Sequence, residues 1–246
     1  MLNKYNNEIT LSEKNGIRYL HFGTKWIQGA MKIDEPDGLV LEYTQQMMAW
    51  MLFKKNPKKI AQLGMGTGSL TKFSLNFNKK CLHHVIEINE DVIKICKKKF
   101  KLPVNHNKLS ILNMNANDFV NDSSNHKSID ILQIDLYDKN AQGPVLNSFG
   151  FYNACHKCLT DNGISVINLF GNHPSFQRNF DTISKIFDAT ITLPKSKKGN
   201  IVLMAFKRTP SINFQKIFDK SKEICLKTKL PTDKWITEIN TWLKKD

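Results

Sequence analysis

Residues 61–70 read Ala61-Gln62-Leu63-Gly64-Met65-Gly66-Thr67-Gly68-Ser69-Leu70. An apolar run precedes three alternating glycines and a helix-compatible segment follows them, which predicts a strand that turns sharply into a helix. Glycines at such a turn let the backbone bend tightly and let a ligand approach it closely. The positive end of the following helix would face that ligand. The spacing differs from the dinucleotide pattern, and no Lys-Ser/Thr pair follows the glycines, which argues against a P-loop.

Short apolar runs separated by helix-length stretches continue on both sides of this turn. Such alternation is typical of βαβ units and a parallel sheet. The predicted strands are Lys59–Leu63, Leu82–Ile88, Leu109–Met114, Ile129–Ile134, Gly163–Leu169, Ala189–Leu193 and Asn200–Phe206. The predicted helices are Ser69–Asn78, Asp91–Lys101, Ala116–Asn121, Asn147–Leu159 and Pro174–Phe187. We therefore predict an α/β fold class, and the closely spaced last two strands make it resemble the seven-stranded, mostly parallel, Rossmann-like sheet of adenosylmethionine-dependent transferases, in which a final hairpin adds one antiparallel strand.

The two ends of the chain predict smaller elements. Asn15-Gly16 is a two-residue hairpin signal between Ile9-Thr10-Leu11 and Ile17–Phe22, so we expect a small antiparallel β domain at the N-terminus. Residues 40–53 contain no helix breaker and predict a buried helix, and the lysine-rich tail is amphipathic. The expected division is a hairpin region with a linking helix at 1–50, a nucleotide-binding transferase domain at 51–208, and a helical tail at 209–246.

Composition narrows the function classes. Hydrophobic residues make up 41% and charged residues 24% of the 246 residues, as in ordinary globular proteins. The longest apolar run, Met47–Phe53, is far shorter than a membrane span, and five scattered cysteines do not suggest a disulfide framework. We therefore expect a cytoplasmic protein without a membrane partner. The net charge is +14, but only three of the 36 basic residues are arginines and the lysines are spread along the chain. We do not expect a nucleic-acid partner on this evidence.

Acidic residues follow two of the predicted strands, at the edge where open α/β sheets bind their ligands. Glu87 ends the strand after the glycine turn, where its carboxylate can accept hydrogen bonds from ribose hydroxyls. Asp135 and Asp138 follow the apolar strand 129–134. A carboxylate there can orient an amine and accept its proton as the nitrogen becomes a nucleophile. We expect no metal, because the Cys155–Cys158 pair has no second ligand pair.

The order of these motifs resembles the spermidine synthase family of polyamine aminopropyltransferases, and the chain looks like a divergent member. The resemblance extends from about residue 17 to 207 and includes Gly143-Pro144 and Phe151-Tyr152. It implies transfer of an aminopropyl group from decarboxylated S-adenosylmethionine, as co-substrate, to a diamine or polyamine. The transfer is a direct displacement that releases methylthioadenosine.

The resemblance also implies roles for individual residues. Asp135 is the catalytic carboxylate, and Asp138 binds the substrate amine. Gln28, from the stretch that lines the donor site, and Gln46, from the segment that replaces the family's Tyr-Gln/His-Glu-Met signature, are further substrate-binding candidates. The donor nucleoside is bound by Gly64, Gly66, Thr67, Gly68, Glu87, Asn115 and Ala116. We further expect a homodimer.

Two alternatives stay open because the chain departs from the family pattern. Thr67 stands where the family usually carries an Asp that holds the aminopropyl amine, and the late segment 193–200 contains lysines and lacks the tyrosine that would flank the amine substrate. Intact S-adenosylmethionine would need no such carboxylate, so a methyltransferase on the same sheet is the first alternative. The second is a non-catalytic nucleoside-binding module that has kept the fold.

Overall fold

A computed structural model of the protein describes residues 8–140 and 143–243. Its N-terminal part is a small antiparallel sheet of β1 (Ile9–Lys14), β2 (Ile17–Phe22) and β3 (Gly29–Lys32). Asn15 and Gly16 join β1 to β2 with φ angles of 52° and 72°. Positive φ at both central residues is the requirement of a type I′ hairpin turn, and it explains why this pair predicted the hairpin correctly.

The main body is a seven-stranded sheet. Its strands are β4 (Lys59–Leu63), β5 (Leu82–Glu87), β6 (Leu109–Asn113), β7 (Ile129–Ile134), β8 (Leu159–Phe170), β9 (Ala189–Thr192) and β10 (Asn200–Phe206). They lie in the order β6-β5-β4-β7-β8-β10-β9, and β10 runs antiparallel to both its neighbours while the pairs among β4–β8 are parallel. The predicted fold class, with one antiparallel strand from the last hairpin, is confirmed.

Helices cover both faces of the sheet. They are α1 (Glu42–Gln46), α2 (Ser69–Phe77), α3 (Glu90–Lys99), α4 (Ala116–Asn121), α5 (Phe149–Cys158), α6 (Phe176–Ile186), α7 (Phe214–Thr228) and α8 (Thr232–Leu243). Side chains of α4, α5 and α6 pack on one face, and those of α2, α7 and α8 pack on the other. Alternate residues of each strand supply the two cores, as Ile60 and Ala61 of β4 show. The break in the tail falls between α7 and α8, at the predicted Leu230-Pro231.

The helix predicted over residues 40–53 is wrong in part. The structure has only the short helix α1 and then a 3-10 turn at Ala49–Leu52. Residues 46–52 are all buried. A regular helix buries one stripe and exposes the other, so the tighter, irregular path places the whole apolar run in the core. The same core contains Trp235 and Ile239 of α8. The domain boundaries at residues 50 and 208 stay a prediction.

The parallel strands β4, β5, β6, β7 and β8 end at one edge of the sheet, which is called the ligand edge here. Gly64, Glu87 and Asp135 lie at the ends of three adjacent strands. The opposite edge carries the starts of these strands and the ends of helices α2, α3 and α5. Within residues 8–140 and 143–243, none of the helices is long and apolar enough to cross a membrane.

Candidate active site

The glycine turn joins β4 to α2 and adopts left-handed backbone conformations. Gly64, Gly66 and Gly68 have φ angles of 86°, 54° and 68°. A Cβ atom at Gly64 would overlap the carbonyl oxygen of Asp135, and one at Gly66 would lie 3.1 Å from the carbonyl oxygen of Gln28. Glycine is therefore required at position 64 for two reasons, conformation and contact. The turn brings the backbone against Asp135 and leaves α2 to begin without a side-chain cap.

Glu87 is attached to this turn by hydrogen bonds. Its Oε2 accepts a bond of 3.0 Å from the backbone N–H of Met65, and its Oε1 accepts one of 2.8 Å from the N–H of Asn89. Burial raises the pKa of Glu87 above its ordinary value of 4.5, while the backbone bonds act in the opposite direction. A carboxylate has about four acceptor positions. Glu87 therefore fixes the turn and retains capacity to accept bonds from a nucleoside.

Asp135 follows β7, and other side chains hold both its carboxylate oxygens. Its Oδ1 accepts a bond of 2.9 Å from the amide of Asn168 in β8, and its Oδ2 accepts one of 3.3 Å from the hydroxyl of Tyr43 in α1. Burial raises the pKa of Asp135, and the two donors oppose that shift. Two donors aimed at a partly buried carboxylate stabilise its charge and fix its orientation. This arrangement suits a carboxylate that must contact a ligand in one fixed orientation.

The small N-terminal sheet covers the glycine turn and forms one wall of the site. Gln28 donates a bond of 3.1 Å to the carbonyl oxygen of Asp138. The Thr67 and Ser69 hydroxyls donate to the carbonyl oxygen of Ala30 over 3.4 and 3.0 Å. A Cβ atom at Gly29 would lie only 2.6 Å from Thr67 Cγ2, so the two segments are in close contact. The result is a narrow cleft between β3, α1 and the glycine turn, and it contains Gln28, Gly66, Thr67 and Asp135 together.

The other predicted residues lie at different distances from this cleft. Asn115 caps α4 by accepting a 2.8 Å bond from the N–H of Asn117, and Ala116 is buried behind it. Both follow β6, next to Glu87, where an adenine ring could lie. Asp138 lies in the loop after β7, and its Oδ1 accepts a bond from the N–H of Asn140. Gln46 does not line the cleft, since it is buried and donates to the carbonyl oxygen of Pro194. The roles assigned to these residues stay predictions.

Three residues of the site were not predicted. Tyr43 and Asn168 bind Asp135, and the Tyr137 hydroxyl donates over 3.2 Å to the carbonyl oxygen of Asn168. Burial and the nearby Asp135 charge raise the pKa of Tyr43 well above 10, so its hydroxyl stays a donor. The sequence could have marked Asn168 as a candidate site residue, because it is a polar residue near the end of the apolar strand 163–169. Tyr43 offered no such signal, because its contact with Asp135 joins positions 92 residues apart in the sequence.

These features define the class of protein. A seven-stranded sheet with a glycine turn after β4, a carboxylate after β5 and a carboxylate after β7 is the Rossmann-like fold of adenosylmethionine-dependent transferases. No group of three or more His, Cys, Asp or Glu side chains is placed to hold a metal ion within the described part of the chain.

The comparison with known sequences gives the particular family. Residues 40–216 match the spermine/spermidine synthase domain. A polyamine aminopropyltransferase of Chromobacterium violaceum is 30% identical over 206 residues, which cover 83% of this chain and 78% of that protein. One of Neisseria meningitidis serogroup A is 29% identical over 205 residues, which cover 82% and 77%. The chain belongs to the spermine/spermidine synthase family.

Solved structures support the fold. A probable spermidine synthase from Corynebacterium glutamicum superposes with a TM-score of 0.73 at 16% identity, covering 89% of this chain and 84% of that one. A spermidine synthase in complex with the transition-state analogue AdoDATO gives 0.66 at 21% identity, with 92% and 80% covered. Human methyltransferase-like protein 13, in complex with SAH, gives 0.69 at 15% identity, with 78% and 94% covered. At these identities the likeness concerns the fold alone.

Proposed function

We propose that this protein transfers an aminopropyl group from decarboxylated S-adenosylmethionine to a diamine or polyamine and releases methylthioadenosine. The observation that carries the proposal is the contact between the glycine turn and Asp135, which puts a backbone suited to a nucleoside beside an oriented carboxylate. Family membership and the names of the two relatives support the same reaction.

The residues present fit the nucleoside part of the donor. Glycine at position 64 lets the carbonyl oxygen of Asp135 lie directly against the turn, Glu87 can accept bonds from the ribose hydroxyls, and Asn115-Ala116 would border the adenine. When bound, the donor supplies a carbon activated by its positive sulfur. The protein's part is to hold that carbon and the amine in line, which can account for a large share of the rate.

Asp135 would act on the attacking amine. As the amine nitrogen bonds to carbon, the carbon–sulfur bond breaks and its electron pair stays on sulfur, which becomes the neutral thioether of methylthioadenosine. The nitrogen gains positive charge and must lose a proton. Asp135 lies in the cleft, and the hydroxyl of Tyr43 and the amide of Asn168 keep its oxygens in place. It can therefore orient the amine and accept that proton.

The cleft departs from the family pattern at position 67, where it has a threonine in place of the usual aspartate. Its hydroxyl bonds to Ser69 and to the carbonyl oxygen of Ala30, so position 67 contributes no negative charge to the donor site. Asp135 is the one carboxylate among the residues that line the cleft in the described part of the chain. Discrimination between decarboxylated and intact S-adenosylmethionine should accordingly be weak, and the test of function must include both donors.

The test is mass spectrometry of the purified protein incubated with a mixture of diamines and polyamines and either decarboxylated or intact S-adenosylmethionine. Joint formation of methylthioadenosine and an amine lengthened by an aminopropyl group is the expected result. Formation of S-adenosylhomocysteine and a methylated product from the intact donor would replace the proposal with methyl transfer. Nucleoside binding without product from either donor would leave a non-catalytic module.

Glu87→Gln should weaken methylthioadenosine binding by about 1–3 kcal/mol, because its NH₂ group would face one of two backbone N–H donors. In the wild type, binding should also weaken on acidification. The raised pKa of Glu87 means that the carboxylate takes up a proton, and loses acceptor capacity, at a higher pH than a free glutamate. Isothermal titration from pH 7 downward measures both effects. An equally steep acid limb in Glu87→Gln would assign the pH dependence to another group.

Tyr43→Phe should lower turnover about tenfold and leave methylthioadenosine affinity within about twofold of wild type. The substitution removes one of the two donors that orient Asp135, and a charge-assisted hydrogen bond of this kind contributes about 1.5–3 kcal/mol. Tyr137→Phe is the matched control, because its hydroxyl donates to the Asn168 backbone and not to Asp135. Steady-state rates for both variants decide the matter, and equal losses would contradict a specific role for Tyr43.

The homodimer and the cytoplasmic location expected from the sequence stay predictions. Light scattering of the purified protein at micromolar concentration would determine the oligomeric state directly.

A further inference from the structure

The fold separates the charges that the sequence spreads along the chain. Six segments form much of the edge opposite to the ligand edge: 54–59, 78–81, 97–108, 121–130, 157–162 and 207–208. They contain fifteen basic and three acidic side chains, an excess of twelve positive charges in a protein whose net charge is +14. This set of segments is called the basic edge below.

The ligand edge has the opposite character. Its segments are 64–68, 87–91, 113–118, 135–140, 170–175 and 193–199. They contain six acidic and four basic side chains, an excess of two negative charges. The large positive charge of the protein is therefore concentrated away from the cleft that would receive a cationic amine.

The basic edge is continuous. Backbone hydrogen bonds join Leu82 to Lys58, His83 to Lys108, and Lys127 to Lys157 across neighbouring segments. The six segments adjoin six strands, and six strands spaced about 4.8 Å apart give an edge of about 24 Å. That length corresponds to about seven base pairs of a nucleic-acid duplex, which carries one negative charge per about 1.7 Å of its axis.

Ordinary structural roles account for a minority of these charges. Lysines complement the dipole at the end of a helix, and four of the fifteen lie in such a last turn, three in α3 and one in α5. Two more form ion pairs, Lys54 with Asp130 and Arg208 with Asp161. In residues 8–140 and 143–243, the other nine have neither of these roles. Nine cations held near one another on one edge repel each other, and a bound polyanion would relieve that repulsion.

We propose that the basic edge binds the phosphate backbone of nucleic acid without reading its bases. Lysine contacts phosphate as a point charge, and fourteen of the fifteen basic residues are lysines, so the bidentate base contacts made by arginine have little place here. A lipid surface fits less well. Membrane docking gains from inserted apolar side chains, and among its described residues this edge exposes only two large hydrophobic ones, Val104 within the six segments and Leu82 beside one of them.

The test compares two triple variants with equal changes in net charge. Lys79, Lys80 and Lys98 are exposed residues of the basic edge, and Lys14, Lys222 and Lys234 are exposed residues outside it. Fluorescence anisotropy with a labelled 20-base-pair DNA duplex of arbitrary sequence, from 50 to 200 mM salt, gives affinity and its salt dependence. Transferase activity serves as the folding control, because neither set touches the cleft.

We expect the Lys79→Gln, Lys80→Gln, Lys98→Gln variant to lose at least about tenfold in affinity at 50 mM salt and to reduce the logarithmic salt slope by up to about 2.7. The variant with Lys14→Gln, Lys222→Gln and Lys234→Gln should stay within about threefold of wild type. A second duplex of unrelated sequence should bind equally well. Equal losses in both variants, or no duplex binding by the wild type at 100 μM, would overturn the proposal. Vesicles of phosphatidylcholine and phosphatidylserine that bind where the duplex does not would assign the edge to a membrane.

Discussion

Asp135→Asn should lower turnover by about 10²–10⁴-fold and leave methylthioadenosine affinity within about threefold of wild type. The substitution removes the group that accepts the proton of the amine, and general acid–base catalysis contributes on this scale. It also sets the new NH₂ group against one of two existing donors, Tyr43 or Asn168. The nucleoside contacts at the glycine turn and Glu87 are unchanged, so binding and catalysis should separate. Single-turnover release of methylthioadenosine and isothermal titration measure the two quantities.

Asp161→Asn is the control, because Asp161 is an exposed carboxylate on the opposite edge of the sheet. It changes the net charge by the same amount and should leave turnover within about twofold of wild type. If Asp135→Asn kept more than a tenth of the wild-type rate, another group would have to accept the proton. If it lost nucleoside affinity as well, the carboxylate would serve to hold the turn.

Gly64→Ala should abolish nucleoside binding and lower the free energy of unfolding by more than about 3 kcal/mol. Two costs combine at this position. A left-handed φ of 86° costs a non-glycine residue about 1–3 kcal/mol. The added Cβ also overlaps the backbone carbonyl oxygen of Asp135, and the sheet holds both segments because the Asp135 N–H donates to Leu63. Urea denaturation followed by circular dichroism gives the stability, and titration with methylthioadenosine gives the binding.

Two glycines separate the conformational cost from the overlap. Gly16 has a φ of 72° and open space around its Cβ position, so Gly16→Ala should cost only about 1–2 kcal/mol. Gly150 lies in α5 with its nearest neighbour 3.9 Å away, so Gly150→Ala should be neutral or slightly stabilising. If Gly64→Ala lowered the free energy of unfolding no more than Gly16→Ala does, the chain would be able to move Asp135 aside. The contact between Gly64 and Asp135 would then not be needed for function.

The sheet was predictable because each of its strands can be recognised from a short stretch of neighbouring residues. Apolar runs of strand length, glycines at the β4–α2 turn and the Asn15-Gly16 hairpin depend on neighbouring residues alone. The ends of parallel strands meet at one edge in any such fold. For that reason Glu87 and Asp135 could be predicted to lie near the glycine turn without any tertiary information.

The rest of the site depends on long-range packing. Tyr43 reaches Asp135 across 92 positions of sequence, and no local pattern of residues indicates such a contact. The substrate role of Gln46 rests on its place in a resembled motif and stays a prediction, and the bond from its amide to the carbonyl oxygen of Pro194 could not be foreseen from the sequence. The segregation of lysines onto one edge was equally hidden, because it follows from strand direction and not from clustering along the chain.

The contact between the small sheet and the glycine turn means that the site is shared by two parts of the chain. Leu20 and Met31 pack with Met65, Val92 and Phe100, and polar bonds from residues such as Gln28, Thr67 and Ser69 also join the two parts. Local opening of such a join costs less than global unfolding. A ligand held between the two parts stabilises the closed form in proportion to its own affinity. Bound substrate would then hold the small sheet against the main sheet. Without substrate, the amide protons of the small sheet would exchange with solvent while the main sheet stayed folded.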